Sequence, residues 1–267
     1  MDIIGVIWNI ILLQPMTNIL VVLAHFLGNN FGLSIIALTI LINVVTYPLT
    51  VRQMKSAKAM QDLQPKMAEL QRKYGKDQAT LSREIQRLYR ESGVNPAGCL
   101  TSMFLPMPIW IVLYQAIRSV MATSPESFLG LSSQLYTWAV TFTATPINTY
   151  FLGMNMSVPN YLLAILVGIS MWLQQKMTAQ QNAGTPQAAQ QAQMMQVLFP
   201  IMFGFISLSV PAGLAMYWVV NSVIRIGVQY FFSGWGGLTT LPQTLMSLWP
   251  LSKNSIWRRE SPQSKKR

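Results

Sequence analysis

Pro211-Ala-Gly-Leu-Ala-Met-Tyr217-Trp218 lies between two apolar runs, one from Val197 to Val210 and the other from Leu214 to Phe232. Proline and glycine end one helix and permit the sharp reversal that starts the next. The stretch therefore predicts a tight turn that connects two membrane helices.

The composition of the whole chain points to the same class of protein. Of its 267 residues, 51% are hydrophobic and only 10% are charged. Soluble domains carry about 25% charged residues, so water would be a poor solvent for this chain. We therefore expect a membrane protein.

Five apolar segments predict an all-α, polytopic membrane protein with five transmembrane helices. Crossing the bilayer takes about 20 residues, so the third and fourth segments are short and imply local thinning of the bilayer or shielding by neighbouring helices. The predicted spans are residues 33–52 (TM1), 98–121 (TM2), 160–177 (TM3), 196–210 (TM4) and, with its turn, 211–232 (TM5).

The placement of basic residues orients these spans. Ten Lys and Arg residues lie between Arg52 and Glu91, and six more lie between Lys253 and Arg267. By the positive-inside rule, the chain is predicted to be multi-pass, N-out and C-in, with the tail 233–267 in the cytoplasm and the loop 122–159 outside. The net charge of +11 is interpreted as an orientation signal and an attraction to anionic lipid or ribosomal RNA, with no DNA partner.

Two further segments flank the spans. Residues 1–32 are predicted to hold an interfacial helix on the outer face, because apolar residues form a stripe at helical spacing over 16–28. No removable signal is expected there, since a basic n-region and a clear cleavage site are missing. The loop 178–195 is rich in Gln and Ala and predicts a flexible cytoplasmic linker, with helical structure near the membrane as the alternative.

Residues 53–97 break the apolar pattern and predict a cytoplasmic helical hairpin. Tyr74 and Gly75 mark its turn, and Pro65 is expected to bend or interrupt the first arm. The pattern fits a solvated antiparallel pair and also a docking arm for substrate, ribosome or targeting factor. Apolar residues recur at spacings of three and four, namely Met60, Leu63 and Met67 on the first arm and Leu81, Ile85 and Leu88 on the second.

Polar side chains repeat at helical spacing on two of the predicted spans. Such groups are expensive in a membrane and face a polar cavity or a neighbouring helix. The two stripes predict a shared polar groove, while ordinary interhelical hydrogen bonding, at about 0.6 kcal/mol per bond, is the alternative that the residues alone favour. The stripes are Thr39, Asn43 and Thr46 on TM1 and Tyr217, Asn221 and Arg225 on TM5.

Three motifs, in this order, resemble the YidC/Oxa/Alb insertase family over residues 15–232. They are Tyr47-Pro48-Leu49-Thr50 before the charged hairpin, Val94-Asn-Pro96-Ala-Gly98 leading into Phe104-Leu-Pro-Met-Pro108-Ile-Trp110, and the Pro211 stretch. The resemblance implies an insertase and chaperone of the bacterial plasma membrane that moves short hydrophilic segments across the bilayer and releases transmembrane helices into it. It implies action without nucleotide hydrolysis, alone or with the Sec translocon.

The resemblance also implies partners and a site. Nascent membrane proteins and the lipid bilayer are the implied partners, together with the ribosome, the signal recognition machinery and the Sec translocon. In the family, a positive residue, usually arginine, lies in a water-filled groove at the position that Asn43 occupies here. Asn43 cannot attract a carboxylate, so we hypothesise that Arg225, at a similar depth, supplies the charge; snorkelling of Arg225 to the headgroups is the alternative. Trp110 and Tyr217 match aromatic places on the family's substrate-contacting helices, although such residues also serve packing.

Other classes of function are weighed against this one. A small-solute membrane transporter is the alternative, since polar stripes and broken helices also build transport sites. The sequence contains no phosphate-binding loop, no Gly-x-Ser-x-Gly elbow and no His-Glu-x-x-His site, so no enzyme activity, cofactor or metal is expected. His25 and Cys99 are each the only residue of their kind and are assigned no role.

Overall fold

Helices dominate the structure, a computed structural model that describes residues 3–75, 77–93, 106–121, 125–132, 134–137, 147–179 and 186–234. A π-helical turn, Asn9–Leu13, joins α1 to α2, and the short strands β1 (Tyr150–Phe151) and β2 (Met154–Asn155) pair antiparallel. The α-helices in this part of the chain are α1 (Ile3–Trp8), α2 (Gln14–Phe26), α3 (Phe31–Tyr74), α4 (Gln78–Glu91), α5 (Pro106–Val120), α6 (Pro125–Ser132), α7 (Tyr161–Ala179), α8 (Pro186–Ile206) and α9 (Ala212–Ser233).

The longest helix, α3, joins the predicted TM1 to the first arm of the hairpin without a break. It begins after Asn30, whose side chain accepts a hydrogen bond from the backbone N–H of Leu33 at 3.1 Å, and it runs for 44 residues. Of the two outcomes predicted for Pro65, a bend or an interruption, the interruption is wrong, because the helix continues through this proline to Tyr74. Pro65 is exposed, so water can satisfy the carbonyl that its missing N–H leaves free.

The helical hairpin is formed by the second half of α3 and by α4. Leu63 and Met67 on α3 and Leu81 on α4 are buried, and the Tyr89 hydroxyl donates to the Met67 sulfur at 3.5 Å. Asp77 begins α4, since its carboxylate accepts hydrogen bonds from the backbone N–H groups of residues 79 and 80. The two arms therefore pack through the apolar repeat that the sequence shows, and Met60 lies half-buried one turn before it.

The remaining helices form a bundle around one apolar core. Helix α9 packs on α3 and α7, α7 packs on α8, and α2 lies against both α3 and α5. The core draws on all of these helices because each one turns an apolar face inward. Its fully buried members include Leu20, Phe31, Ile35, Leu113, Ile117, Val167 and Ala215.

Residues 147–160, called the cap below, close the end of the bundle at which α3 and α9 begin. The backbone N–H of Phe31 donates to the carbonyl of Asn148 at 3.0 Å, and those of Ala212 and Gly213 donate to the carbonyls of Val158 and Met156, also at 3.0 Å. The first N–H groups of a helix have no partner within it, so the cap satisfies donors that would otherwise be orphaned.

Two helix boundaries differ from the sequence-based prediction. Helical structure extends from Ile3 to Phe26, so the helix predicted over 16–28 starts well before its expected first residue. Helix α8 begins at Pro186 and not at 196, so the second part of the predicted linker 178–195 is helical, while residues 180–185 lie outside the described part. The residues that follow Pro186 are mostly Ala and Gln, which have good helix propensity.

Within the described residues, two helical stretches are long and apolar enough to cross a membrane by length and composition. They are Gly5–Phe26 and part of Phe31–Tyr74. The apolar helices Met107–Val120 and Met194–Ile206 are shorter. Five crossings therefore stay a prediction, and the fold itself is a helical bundle.

Candidate functional site: a polar seam between α3 and α9

Helices α3 and α9 run parallel, and their contacts fix a common register. The small residue Gly213 at the start of α9 lies against Ile35, where an added Cβ would come within 2.9 Å of the Ile35 Cδ1 atom. Eight residues further along each helix, the Asn43 side chain contacts that of Asn221. The polar stripes that the sequence places on two distant segments therefore face each other across one helix pair.

The contact at the centre of this pair is a hydrogen bond between two amide side chains. The Nδ2 atom of Asn43 donates to the Oδ1 atom of Asn221 at 3.1 Å and to the backbone carbonyl of Thr39 at 2.8 Å. Both asparagines are half-buried. Each of the two side chains can form further hydrogen bonds, so the pair can also bond a third polar group.

The two threonines of the stripe satisfy themselves on their own helix. Thr39 is fully buried and its hydroxyl donates to the carbonyl of Ile35 at 2.6 Å, whereas Thr46 is half-buried and donates to the carbonyl of Ile42 at 2.7 Å. Such bonds to the preceding turn are the ordinary fate of threonine in a helix. Of the two, Thr46 is the one that presents surface to the seam.

Arg225 lies one turn beyond Asn221 on α9, and the register above puts it level with Tyr47, next to Thr46. It is half-buried, and the described residues give it no hydrogen bond and no carboxylate partner. The sequence contains no Asp or Glu at residues 3–61 or 127–259, so neither α7, α9 nor the first half of α3 supplies a counter-charge. Arg225 thus places an uncompensated positive charge at the open end of the seam.

We call Thr39, Asn43, Thr46, Asn221 and Arg225 together the polar seam. The two aromatic candidates lie beside it and not in it. Tyr217, one turn before Asn221, is only 2% exposed and belongs to the core. Trp110 on α5 packs edge-on against Phe203 and Trp218, with ring centroids 5.4 and 6.3 Å apart. Both positions match the packing alternative more closely than direct access for a ligand.

Sequence reasoning missed the side chain that ties the segment after α6 to the bundle. Asn18 on α2 is 1% exposed; it donates to the carbonyl of Gln134 at 2.9 Å and accepts from the backbone N–H of Tyr136 at 2.8 Å. The signal in the sequence is a single asparagine in a mostly apolar helix. Its partners lie more than a hundred residues away, so no local pattern could reveal them.

The chemistry of the seam is that of hydrogen bonding and charge. No group of three or more His, Cys, Asp or Glu side chains that could hold a metal ion occurs in the part of the chain that the structure describes. What the seam can do is exchange its own hydrogen bonds for those of a polar segment and attract a negative charge to Arg225.

Comparison with known proteins identifies the family of the chain. The family of the 60Kd inner membrane protein matches residues 22–235. Membrane protein insertase YidC 2 of Bacillus anthracis is 36% identical over 234 residues, which are 85% of this chain and 82% of that protein. The chain belongs to the YidC/Oxa/Alb family. The resemblance noted from the three sequence motifs is thereby confirmed.

Other members of the YidC/Oxa/Alb family are also similar to this chain. Membrane protein insertase MisCA of Bacillus subtilis (strain 168) is 35% identical over 232 residues, covering 85% of this chain and 79% of its own length. A crystal structure of an active YidC insertase, with its first transmembrane domain resolved, is 25% identical and superimposes with a TM-score of 0.52. The superposition covers 78% of this chain and 43% of the chain in that crystal structure.

Proposed function

We propose that this chain is a membrane protein insertase that moves short hydrophilic segments across the bilayer and releases transmembrane helices into it. The observation that carries the proposal is the Asn43–Asn221 hydrogen bond at 3.1 Å, which joins two polar stripes inside an apolar bundle. Named insertases among the relatives that share most of this chain's length support the same conclusion. No nucleotide is required, because burial of the released apolar helix in lipid drives the step.

On this proposal, the bundle lies in the bacterial plasma membrane with five crossings, N-out and C-in. The crossings are the first half of α3, then α5, α7, α8 and α9, which puts the cap outside and the α3–α4 hairpin in the cytoplasm. The helical segment Ile3–Phe26 stays in the outer interface on this view. Its Trp8 indole donates to Gln115 at 2.9 Å and its Leu13 packs on Val112 and Ala116, so it lies along the last turns of α5.

The seam lowers the barrier that a hydrophilic segment meets in lipid. A single charge at the centre of the bilayer costs about 2.5–3.5 kcal/mol, and each unsatisfied backbone group adds several more. The Asn43–Asn221 bond can open to accept such groups, while the cap seals the outer end of the pair. A polar segment therefore enters from the cytoplasmic side and needs to cross only the remaining part of the bilayer unaided.

Arg225 supplies the positive charge that attracts an acidic segment, which the neutral Asn43 cannot do. It lies ~20 Å from the start of α9 at 1.5 Å per residue, in the cytoplasmic half of a hydrocarbon core about 30 Å thick. With no Asp or Glu between residues 126 and 260, its charge is free to pair with an acidic residue of an incoming segment. Its place on α9 substitutes for the charge that other members carry on the helix of Asn43.

The hairpin serves as the receiving arm on the cytoplasmic side. Exposed basic residues cover it, and its closing contacts bury only a narrow strip around Leu63, Met67 and Leu81. A thin apolar interface between two charged arms can open without unfolding the bundle. Nascent chains, the ribosome, the signal recognition machinery and the Sec translocon are the partners proposed for this arm.

Insertion into proteoliposomes that contain only this protein tests the proposal. The readout is protease protection of a small, ribosome-free membrane substrate, compared with empty liposomes. We expect protection above the empty control, and we expect Arg225→Gln to reduce it severalfold for a substrate with an acidic segment but not for the same substrate with Asn in place of the acids. Arg118→Gln, an exposed cation away from the seam, is the matched control. No protection with several substrates, from protein verified as folded, would contradict the insertase.

A further inference from the structure

A groove on the far side of the bundle from the seam has no part in the function above. It lies between α7 and α8, has a volume of about 570 Å³, and is lined almost entirely by apolar side chains. Its walls carry large exposed residues, among them Ile165 and Trp172 on α7 and Ile201 and Phe205 on α8. Each of these is between 37% and 68% exposed, so nothing in the described chain covers the groove.

The groove exists because the two helices touch through residues without bulk. A Cβ added to Gly168 would lie 3.6 Å from the carbonyl oxygen of Pro200, and one added to Gly204 would lie 3.6 Å from that of Ala164. The backbones thus come into near contact along a line of small residues. Large side chains lie on either side of this line of small residues, and the groove is the space between them.

One end of the groove carries a positive charge. The Lys176 ammonium lies 4.9 Å from the centroid of the Trp172 ring, one turn beyond the apolar lining. No ion pair forms with Lys176 among the described residues, and the whole segment from 127 to 259 contains no acid. The groove is therefore apolar along its length and cationic at one end.

The length of the groove matches the acyl region of one leaflet. From Tyr161 to Trp172 the lining extends roughly 16 Å along α7, about half of a 30 Å hydrocarbon core. An acyl chain also reaches from its headgroup to the middle of the bilayer, so a lipid whose headgroup lies at the cationic end would have its chain along the apolar walls.

We propose that the groove between α7 and α8 binds one anionic phospholipid, with its phosphate at Lys176 and an acyl chain along Gly168 and Gly204. The proposal rests on the placement of α7 and α8 across the membrane given above. With Lys176 near the cytoplasmic end of α7, the lipid comes from the cytoplasmic leaflet. The Trp172 ring then lies where the acyl chain joins the headgroup, a level of the membrane at which aromatic residues are common.

Native mass spectrometry of the purified full chain in detergent tests the proposal, with phosphatidylglycerol and phosphatidylcholine titrated separately. One lysine near a charged headgroup contributes about 1 kcal/mol, so wild type should bind the first lipid about fivefold more tightly than the second. Lys176→Gln should remove that preference. Lys73→Gln, which removes a lysine over the Tyr74 ring on the hairpin, is the matched control and should keep it.

A second variant tests the contribution of the acyl chain to binding separately from that of the headgroup. Ile201→Trp fills the groove without touching Lys176, so it should weaken the binding of both lipids equally. Preference for phosphatidylglycerol that survives in Lys176→Gln, or lipid binding unchanged in Ile201→Trp, would overturn the proposal, as would a dimer of the chain that Ile201→Trp dissociates. No substrate is present in this measurement, so its failure leaves the insertase proposal standing, and loss of insertion would leave the lipid result standing.

Discussion

The amide pair at the centre of the polar seam makes a quantitative prediction. Asn43→Ala and Asn221→Ala each remove one partner of a hydrogen bond that is 3.1 Å long and half-buried. Side-chain hydrogen bonds between membrane helices contribute on average about 0.6 kcal/mol, with a maximum of about 1.7 kcal/mol. A double-mutant cycle should therefore give a coupling free energy of about 0.6 kcal/mol in favour of folding, whatever each single change costs on its own.

The free energy of unfolding can be measured in bicelles by steric trapping for the wild type, the two single variants and the double variant. Thr50→Ala combined with Asn221→Ala is the matched control. Thr50 bonds the carbonyl of Thr46 on its own helix, so these two changes should add within about 0.3–0.5 kcal/mol. A coupling of zero for Asn43 and Asn221, indistinguishable from the control, would refute the reasoning that the two stripes meet.

Two further predictions concern the cap and the hairpin. A Cβ at Gly32 would collide with the Phe151 ring, so Gly32→Ala should destabilise the fold by about 1–3 kcal/mol in the same unfolding assay, whereas Gly227→Ala, with open space around it, should not. Hydrogen bonds from the Thr80 side chain and backbone, and from the Ala79 backbone, lower the pKa of Asp77. The N-cap of α4 is therefore intact above the ordinary carboxyl pKa and is lost as the pH falls through the lowered value. Asp77→Ala should lower the protection of the first turn of α4 against amide hydrogen exchange, relative to the intrinsic exchange rate, at neutral pH, and the loss of this protection at acid pH should disappear; equal protection in both forms would contradict the cap.

Much of the architecture could be predicted because its signals are local. The reversal at Pro211 and the turn at Tyr74 and Gly75 follow from residues that end helices, and α7 and α9 begin and end close to the predicted positions. The pairing of the two polar stripes was also within reach, since Asn43 and Asn221 stand out in apolar helices. Periodicity identifies such faces without any knowledge of the tertiary structure.

The remaining features depend on contacts between distant segments. The cap satisfies the first N–H groups of α3 and α9 through carbonyls of a loop whose sequence gives no regular pattern. Pro65 stays within a helix because its arm is exposed, and burial is not visible in a single sequence. The Trp110 ring packs against Phe203 and Trp218, and that choice of neighbours is set by packing across three helices, which a local motif does not reveal.

Site-specific photocrosslinking to an arrested insertion intermediate tests most directly whether the seam receives the hydrophilic segment of a substrate. A photoreactive residue would replace Thr46, which presents surface to the seam, and in a separate variant Ile165, which is 60% exposed on α7 away from it. The account predicts that the hydrophilic segment crosslinks to position 46 and not to position 165, and that Arg225→Gln weakens the crosslink when the segment is acidic. Crosslinks to position 165 with none to position 46 would contradict it.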